Sequence, residues 1–204
     1  MRKQPRQQRS QAMVDAIVEA GFVSLARNGP EGTTTRHIAD IAGISVGSLY
    51  QYFPDKQAVY AAMQQRVVTD LIVFLRELTP ELLQKDVREG TSMLLFRFRD
   101  WARKDNDRYL VYARHAMQFD FGQDMDRLEA ALMDLVMQYL LQNPVFARLP
   151  NLQGVIYVLI NGGVFAMIRF LSTPQPRITF EQFVDGVVRL VSASAEQGMR
   201  DSAL

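Results

Sequence analysis

The stretch Thr35–Tyr52, TRHIADIAGISVGSLYQY, decides how this chain is read. It divides into two short helical segments, Thr34 to Ala42 and Ser45 to Tyr52, joined at Gly43. Two helices that cross steeply need a small residue at their closest approach, which Ala39 supplies. They also need a turn residue that accepts positive φ, which Gly43 supplies without a Cβ clash. Ile38, Ile44 and Leu49 are spaced to hold the second helix on the first, and Thr34 and Ser45 each stand where a hydroxyl can cap the helix that follows. An ordinary αα-hairpin could use the same alanine, glycine and aliphatics, but the outward face of the second helix argues for more. Ser45, Val46, Gly47 and Ser48 are small enough at its N-terminus to approach base edges in a major groove about 12 Å wide. Tyr50, Gln51 and Tyr52 would then set hydrogen-bonding groups beside the sugar-phosphate backbone, with Lys56 in reach of a phosphate.

Outward from this segment, apolar residues recur with helical period and strand signals are nearly absent, so the chain reads as all-α with about nine helices. The first runs from about Ser10 to Arg27, with Met13, Ile17, Ala20, Gly21 and Leu25 on one face, and stops at Asn28-Gly29-Pro30. A long connector helix follows Asp55 as N-cap and continues to about Glu77. Thr79-Pro80 then offers a cap with proline at the first helical position. Further patterns cover about 87–104, 107–119 and 124–142, and Asn143-Pro144 breaks the last. Two helices close the chain: one from about Asn151 to Leu171, and one opened by Thr179-Phe180-Glu181-Gln182, which has capping-box spacing. This divides the chain into residues 1–56, a three-helix DNA-binding domain with its helix-turn-helix at about 34–53, and residues 57–204, a helical domain reached through helix 55–77.

Composition fits a soluble globular protein: 48% of the residues are hydrophobic and 22% charged. There is no cysteine, which excludes disulfide scaffolds and thiol nucleophiles. With only His37 and His115 besides, a zinc or nucleophilic active site has little to draw on, so neither an enzyme nor a cofactor is expected. The triplet Asp120-Phe121-Gly122 lacks every companion motif of a kinase, and the acids around it lack the glycine and terminal glutamate of a calcium loop. The basic N-terminus, Arg2, Lys3, Arg6 and Arg9, precedes no apolar core of a signal peptide, and the apolar run Val155 to Ile168 reads as too short for a membrane span. A cytoplasmic address and no membrane partner are expected. Residues 1–56 carry seven Lys/Arg against five Asp/Glu, too slight an excess to signal nucleic acid by charge alone.

The run Thr34-Thr35-Arg36-His37-Ile38-Ala39, then Ala42-Gly43-Ile44-Ser45, then Gly47 through Lys56 (GSLYQYFPDK) resembles the DNA-binding signature of the TetR/AcrR family of transcriptional regulators. The likeness covers about the first quarter of the chain; Leu25 and Pro30 stand where the family usually has aromatic residues. The resemblance implies that Tyr50, Tyr52 and Lys56, with Thr34 and Thr35, hold phosphates, while Arg36, Ser45, Gly47, Ser48 and Gln51 face the bases. It also implies a homodimer on a palindromic double-stranded operator, released by a small-molecule effector, hence a repressor. For the dimer interface the closing helices are the candidates: Gly162, Gly163 and Ala166 permit close approach, and Phe180, Val184, Val187, Val188 and Val191 form a stripe that needs a partner.

Between residues 90 and 170 bulky, adaptable side chains are dense. They could simply fill a core, but methionine and aromatic residues also line apolar pockets. Since the family places its ligand cavity here, Phe96, Trp101, Tyr112, Phe119, Met137 and Phe165 are the expected lining. His115 and Asn161, with Arg114 and Gln118, are the expected polar handles for an apolar or aromatic effector. The competing reading is a helical enzyme or carrier for an apolar metabolite with no DNA role; a further one is an accessory DNA binder with no effector.

Overall fold

The computed structural model describes residues 4–116 and 122–201. Among them it contains nine α-helices and one 3₁₀ turn. Helix α1 (Gln4–Gly32) carries a break at Gly29, whose φ of 67° and ψ of 178° end the regular helix where Asn28-Gly29-Pro30 predicted a stop. Helices α2 (Thr35–Ala42) and α3 (Val46–Tyr50) form the expected pair. Gly43 adopts the left-handed conformation, φ 70° and ψ 31°, and its N–H bonds back to the end of α2. Thr34 Oγ1 accepts from His37 N, and Ser45 Oγ accepts from Ser48 N.

Ile17, Leu25, Ile38, Ala39 and Leu49 are fully buried in one core, closed from below by Val59 and Met63 of α4 (Lys56–Leu82). Gly21 explains how closely α1 and α4 approach: a Cβ there would lie 2.7 Å from Met63 Sδ and 3.1 Å from Val59 Cγ1. The helical face read from the sequence misses Val18 and Phe22, which are also buried, because α1 is covered on a second side by α6 (Lys104–Ala116).

Helix α4 runs farther than expected. Pro80 lies within its last turn and not at the start of a new helix, and Thr79 donates its hydroxyl to Leu75 O in place of capping. A proline so near the C-terminus forfeits one backbone bond without enough helix beyond it to kink. Helix α5 (Val87–Ala102) is capped instead by Asp86, whose Oδ1 accepts from Glu89 N at 2.8 Å.

The remaining helices are α7 (Gly122–Gln142), α8 (Leu152–Ser172) and α9 (Phe180–Asp201), with the 3₁₀ turn Phe146–Arg148 between α7 and α8. Thr179 and Gln182 close the expected capping box reciprocally, at 2.9 and 3.2 Å. By length and composition both α4 and α8 could cross a membrane, so the expectation that the apolar run of α8 is too short does not hold for the whole helix. Both are instead built into this bundle: α4 packs on α1 and α7, and α8 on α6 and α7.

Two substitutions test this frame by urea unfolding. Gly43→Ala, which forces a Cβ into the left-handed region, is expected to cost about 1 kcal/mol. Gly21→Val, which overpacks the α1–α4 contact, is expected to cost about 1–3 kcal/mol.

Candidate nucleic-acid interface and effector cavity

The outer surface of α2 and α3 carries Thr34, Arg36, Ser45, Gly47, Tyr50 and Gln51, all exposed. Ser45 and Ser48 hydroxyls bond each other at 2.8 Å, which holds the N-terminal turn of α3 compact and leaves Gly47 open above it. Thr35 Oγ1 lies 3.3 Å from Tyr50 OH, so one polar cluster spans both helices. Val46 and Tyr52 are half-buried against the core and offer only part of their surface. The Lys56 ammonium, expected on a phosphate, donates here to Pro30 O at 3.0 Å, beside Tyr60 OH on the same carbonyl. Two of its three N–H donors lie outside that bond. Arg2 and Lys3 of the basic tail lie outside the described residues.

This surface is fastened to the helical half through α1, α4 and α6. Phe22 meets Tyr109 and Tyr112 edge-on, with ring centroids 6.2 and 5.9 Å away. The Arg108 guanidinium lies over Phe22 and Tyr109 and pairs with Glu19 of α1. Tyr109 OH donates to Asp70 of α4; burial, then that bond, pushes the phenol up to about 12. Tyr112 OH donates to Gln64 Oε1 at 3.4 Å, and Gln64 Nε2 donates to Asp124 of α7 at 3.2 Å. Burial and then the charge of Asp124 hold the Tyr112 phenol far above its ordinary value, so both tyrosines act as neutral donors.

Among the described residues, the expected effector side chains are not gathered into one cavity. Trp101 stacks on Tyr109 at 4.4 Å, Phe96 packs on Phe180 at 5.4 Å, and Tyr112 is committed to Gln64. The Asn161 amide donates to Tyr157 O within α8. Burial, then Arg114, pulls the His115 imidazole down. Phe165 is exposed, and exposed Met137 lines a second, larger cavity of about 640 Å³ with Met133, Leu141 and Tyr157, between α7 and α8. Phe119 and Gln118, like Asp120 and Phe121, lie outside the described residues. The aromatic density of the sequence is thus largely spent on ring-to-ring packing.

A cavity of about 210 Å³ lies elsewhere, between the end of α4, α5, α7, the 3₁₀ turn, α8 and α9. Its wall is aliphatic apart from Gly90, Phe146, Tyr139, Thr91 and Asp86. Periodicity does not reveal it, because its residues come from six elements and each looks like ordinary core.

The α8–α9 surface divides the residues expected between subunits. Phe180 and Val184 are buried inside the protomer with Met167, and Val187, Val188 and Val191 are half-buried, Val191 against the cavity. Phe180, Val184 and Val188 pack with residues of α5 and α8 of the same chain. Gly162, Gly163 and Ala166 lie on the outer side of α8, where a Cβ on either glycine would meet nothing within 4 Å. Beside them Tyr157, Val158, Phe165 and Leu190 are between 56% and 68% exposed.

A helix-turn-helix with small residues at the head of its second helix, carried on a helical domain with an apolar-walled cavity, is the arrangement of a DNA-binding regulator. Residues 17–63 match the family model of bacterial regulatory proteins of the tetR family. Along nearly its whole length the chain is similar to the nucleoid occlusion factor SlmA of Haemophilus ducreyi, with 22% identity over 89% of this chain and 92% of that protein. Its fold is shared with the fatty acid degradation regulator FadR of Bacillus halodurans, with TM-score 0.68, 17% identity and coverage of 94% of this chain and 96% of that one. FadR of Bacillus subtilis, solved with stearoyl-CoA, has TM-score 0.64 and 15% identity, covering 87% and 97%. Residues 17–63 thus carry a DNA-binding segment of the tetR type, and the chain as a whole shares its fold with TetR-family transcriptional regulators.

The α1–α6 fastening makes a quantitative expectation. A double-mutant cycle of Glu19→Ala and Arg108→Ala, followed by chemical unfolding, should return a coupling of about 1 kcal/mol. Arg108→Ala alone should cost more than Glu19→Ala, since it also gives up the Phe22 and Tyr109 faces.

Proposed function

We propose that the chain is a repressor that binds a palindromic operator as a homodimer in the cytoplasm and is released by a small apolar effector. The observation that carries this reading is the pairing of the exposed α2–α3 surface with an apolar-walled cavity in the helical half. In this reading Thr34, Thr35, Tyr50, Tyr52 and Lys56 hold phosphates, while Arg36, Ser45, Val46, Gly47, Ser48 and Gln51 meet the bases. The dimer forms through the open side of α8, where Gly162, Gly163, Ala166 and Phe165 lie, continued by Leu190 of α9. One such DNA-reading unit binds weakly, and two reach half-sites one helical turn, about 34–36 Å, or a multiple apart. The stearoyl-CoA carried by the Bacillus subtilis FadR supports an effector with a hydrocarbon chain. The effector acts by favouring a conformer in which the two reading helices no longer match the operator spacing.

A second reading is favoured by the near full-length similarity to SlmA: a chromosome-associated DNA binder concerned with nucleoid occlusion and indifferent to small effectors. The two part on whether any small apolar ligand releases bound DNA.

Binding to operator fragments, selected from genomic DNA, tests the interface. Affinity should fall steeply with salt. Tyr50→Ala should weaken binding to all sequences about equally, whereas Gln51→Ala should relax preference at one base pair by roughly 1–3 kcal/mol. Equal losses across operator variants for both substitutions would contradict the assignment. In sedimentation, Phe165→Asp should convert a dimer to monomer with its helical content intact; a monomeric unsubstituted protein at micromolar concentration would remove the dimer claim.

A further inference from the structure

Side chains hold three backbone carbonyls of the turn that leads from α1 into α2. Gly29 O accepts from the Thr33 hydroxyl at 2.8 Å, and Gly32 O bonds the His37 ring at Nδ1, 3.0 Å away. Pro30 O takes two donors from α4, the Lys56 ammonium at 3.0 Å and the Tyr60 hydroxyl at 3.2 Å. Gly29, at φ 67° and ψ 178°, breaks the helix immediately before that carbonyl's residue.

Lys56 and Tyr60 stand four residues apart on one face of α4, and they also meet each other. The ammonium lies 5.7 Å from the centroid of the Tyr60 ring. Tyr60 is only 7% exposed and belongs to the core of the DNA-reading unit, whereas Lys56 is half-buried at its edge. Burial raises the Tyr60 phenol, which keeps it a neutral donor. A lysine on an open surface gives up the rotamer freedom of a long, flexible stem when it meets a phosphate. At Lys56 the carbonyl and the ring have already done most of that ordering, and two of the ammonium N–H groups remain for a phosphate.

We propose that Tyr60 is a positioning residue for DNA binding: its hydroxyl and ring form, with the Pro30 carbonyl, a socket that presets the Lys56 ammonium for a backbone phosphate. This role rests on the reading of Lys56 as a phosphate contact, and it adds a buried residue that itself touches no DNA. The hydroxyl matters because Pro30 O is partly buried and costly to leave without a donor. With Tyr60 on the same oxygen, the ammonium can lean toward a phosphate while the carbonyl stays satisfied. Without Tyr60 OH, the same movement would take from the carbonyl the other of its two side-chain donors.

The test is fluorescence anisotropy of the full chain on labelled duplex DNA of random sequence and on a selected operator fragment, over a salt series. The variants are Tyr60→Phe, Lys56→Met and the two combined. Phosphate contacts carry no sequence information, so both DNAs should report the same losses. Lys56→Met, which removes the charge and keeps an apolar stem, should lower the slope of log affinity against log salt by about one per subunit. Tyr60→Phe keeps the ring and should weaken binding about three- to tenfold, the worth of one hydrogen bond. In the Lys56→Met background the same change should cost less than about twofold. Far-ultraviolet circular dichroism of each variant should match the unsubstituted protein. Equal losses from Tyr60→Phe in both backgrounds would make Tyr60 a structural residue only and overturn the proposal, as would no loss in either. A salt slope unchanged by Lys56→Met would instead remove Lys56 as a phosphate contact, and the socket's role with it.

Discussion

The rest of the structure depends on one shared rigid body, helix α4. Its 27 residues make a rod about 40 Å long, continuous from Lys56, at the edge of the DNA-reading unit, to Leu82, in the wall of the cavity. Val59 and Met63 complete the first core, while Val68, Leu71 and Leu75 belong to the packing of the helical half. A single helix that serves two cores cannot move for one without moving for the other. The missing side chain at Gly21 lets α1 lie so close that Met63 becomes the natural pivot.

That constraint also sets what the sequence makes legible. The DNA-reading unit is specified by local signals: the left-handed Gly43, hydroxyl caps at Thr34 and Ser45, and the carboxylate cap of Asp55 on Ala58 N. Each depends on neighbours within about four residues, so each can be read from the string alone. The break at Gly29 and the reciprocal Thr179–Gln182 cap were legible for the same reason. Pro80 was misleading because proline's meaning depends on how much helix follows it, which is a tertiary matter. Asp86 was the cap that mattered there.

The candidate effector site was harder to read, and the physical reason is pairing. Trp101, Tyr109, Phe98 and Phe74 satisfy one another as a run of ring contacts, and Phe96, Phe170, Phe180 and Phe183 do the same between α5, α8 and α9. Aromatic density marks where helices are welded together. A void arises where aliphatic side chains from many elements fail to meet, and such residues have no distinguishing pattern. The stripe on α9 was legible as a buried face, but pattern alone could not say whether α5 or a second subunit buries it. For Phe180 and Val184 it is α5 and α8 of the same chain.

Magnitudes then discriminate between routes from the cavity to the DNA surface. About 10 Å of α4 lie on the Lys56 side of Met63 and about 28 Å on the Leu82 side, so α4 is an unfavourable lever: an outward shift of about 1 Å at Leu82 moves Lys56 by only about 0.4 Å. Helix α8 offers a shorter path. It supplies cavity residues from Leu152 to Ile160, packs along α6, and is tied to it by the Ser172 hydroxyl on Ala113 O. Helix α6 in turn holds α1 through Arg108, Tyr109 and Tyr112. The proposed dimer surface lies farther along the same helix, at Gly162, Gly163, Phe165 and Ala166. In the proposed dimer, a ligand that displaced α8 would act at once on the seat of each reading unit and on the angle between subunits. The first effect would need no amplification, because Phe22 of α1 meets Tyr109 and Tyr112 of α6 directly. Effector action through α8, with α4 following as a constrained rod, is the arrangement these lengths favour.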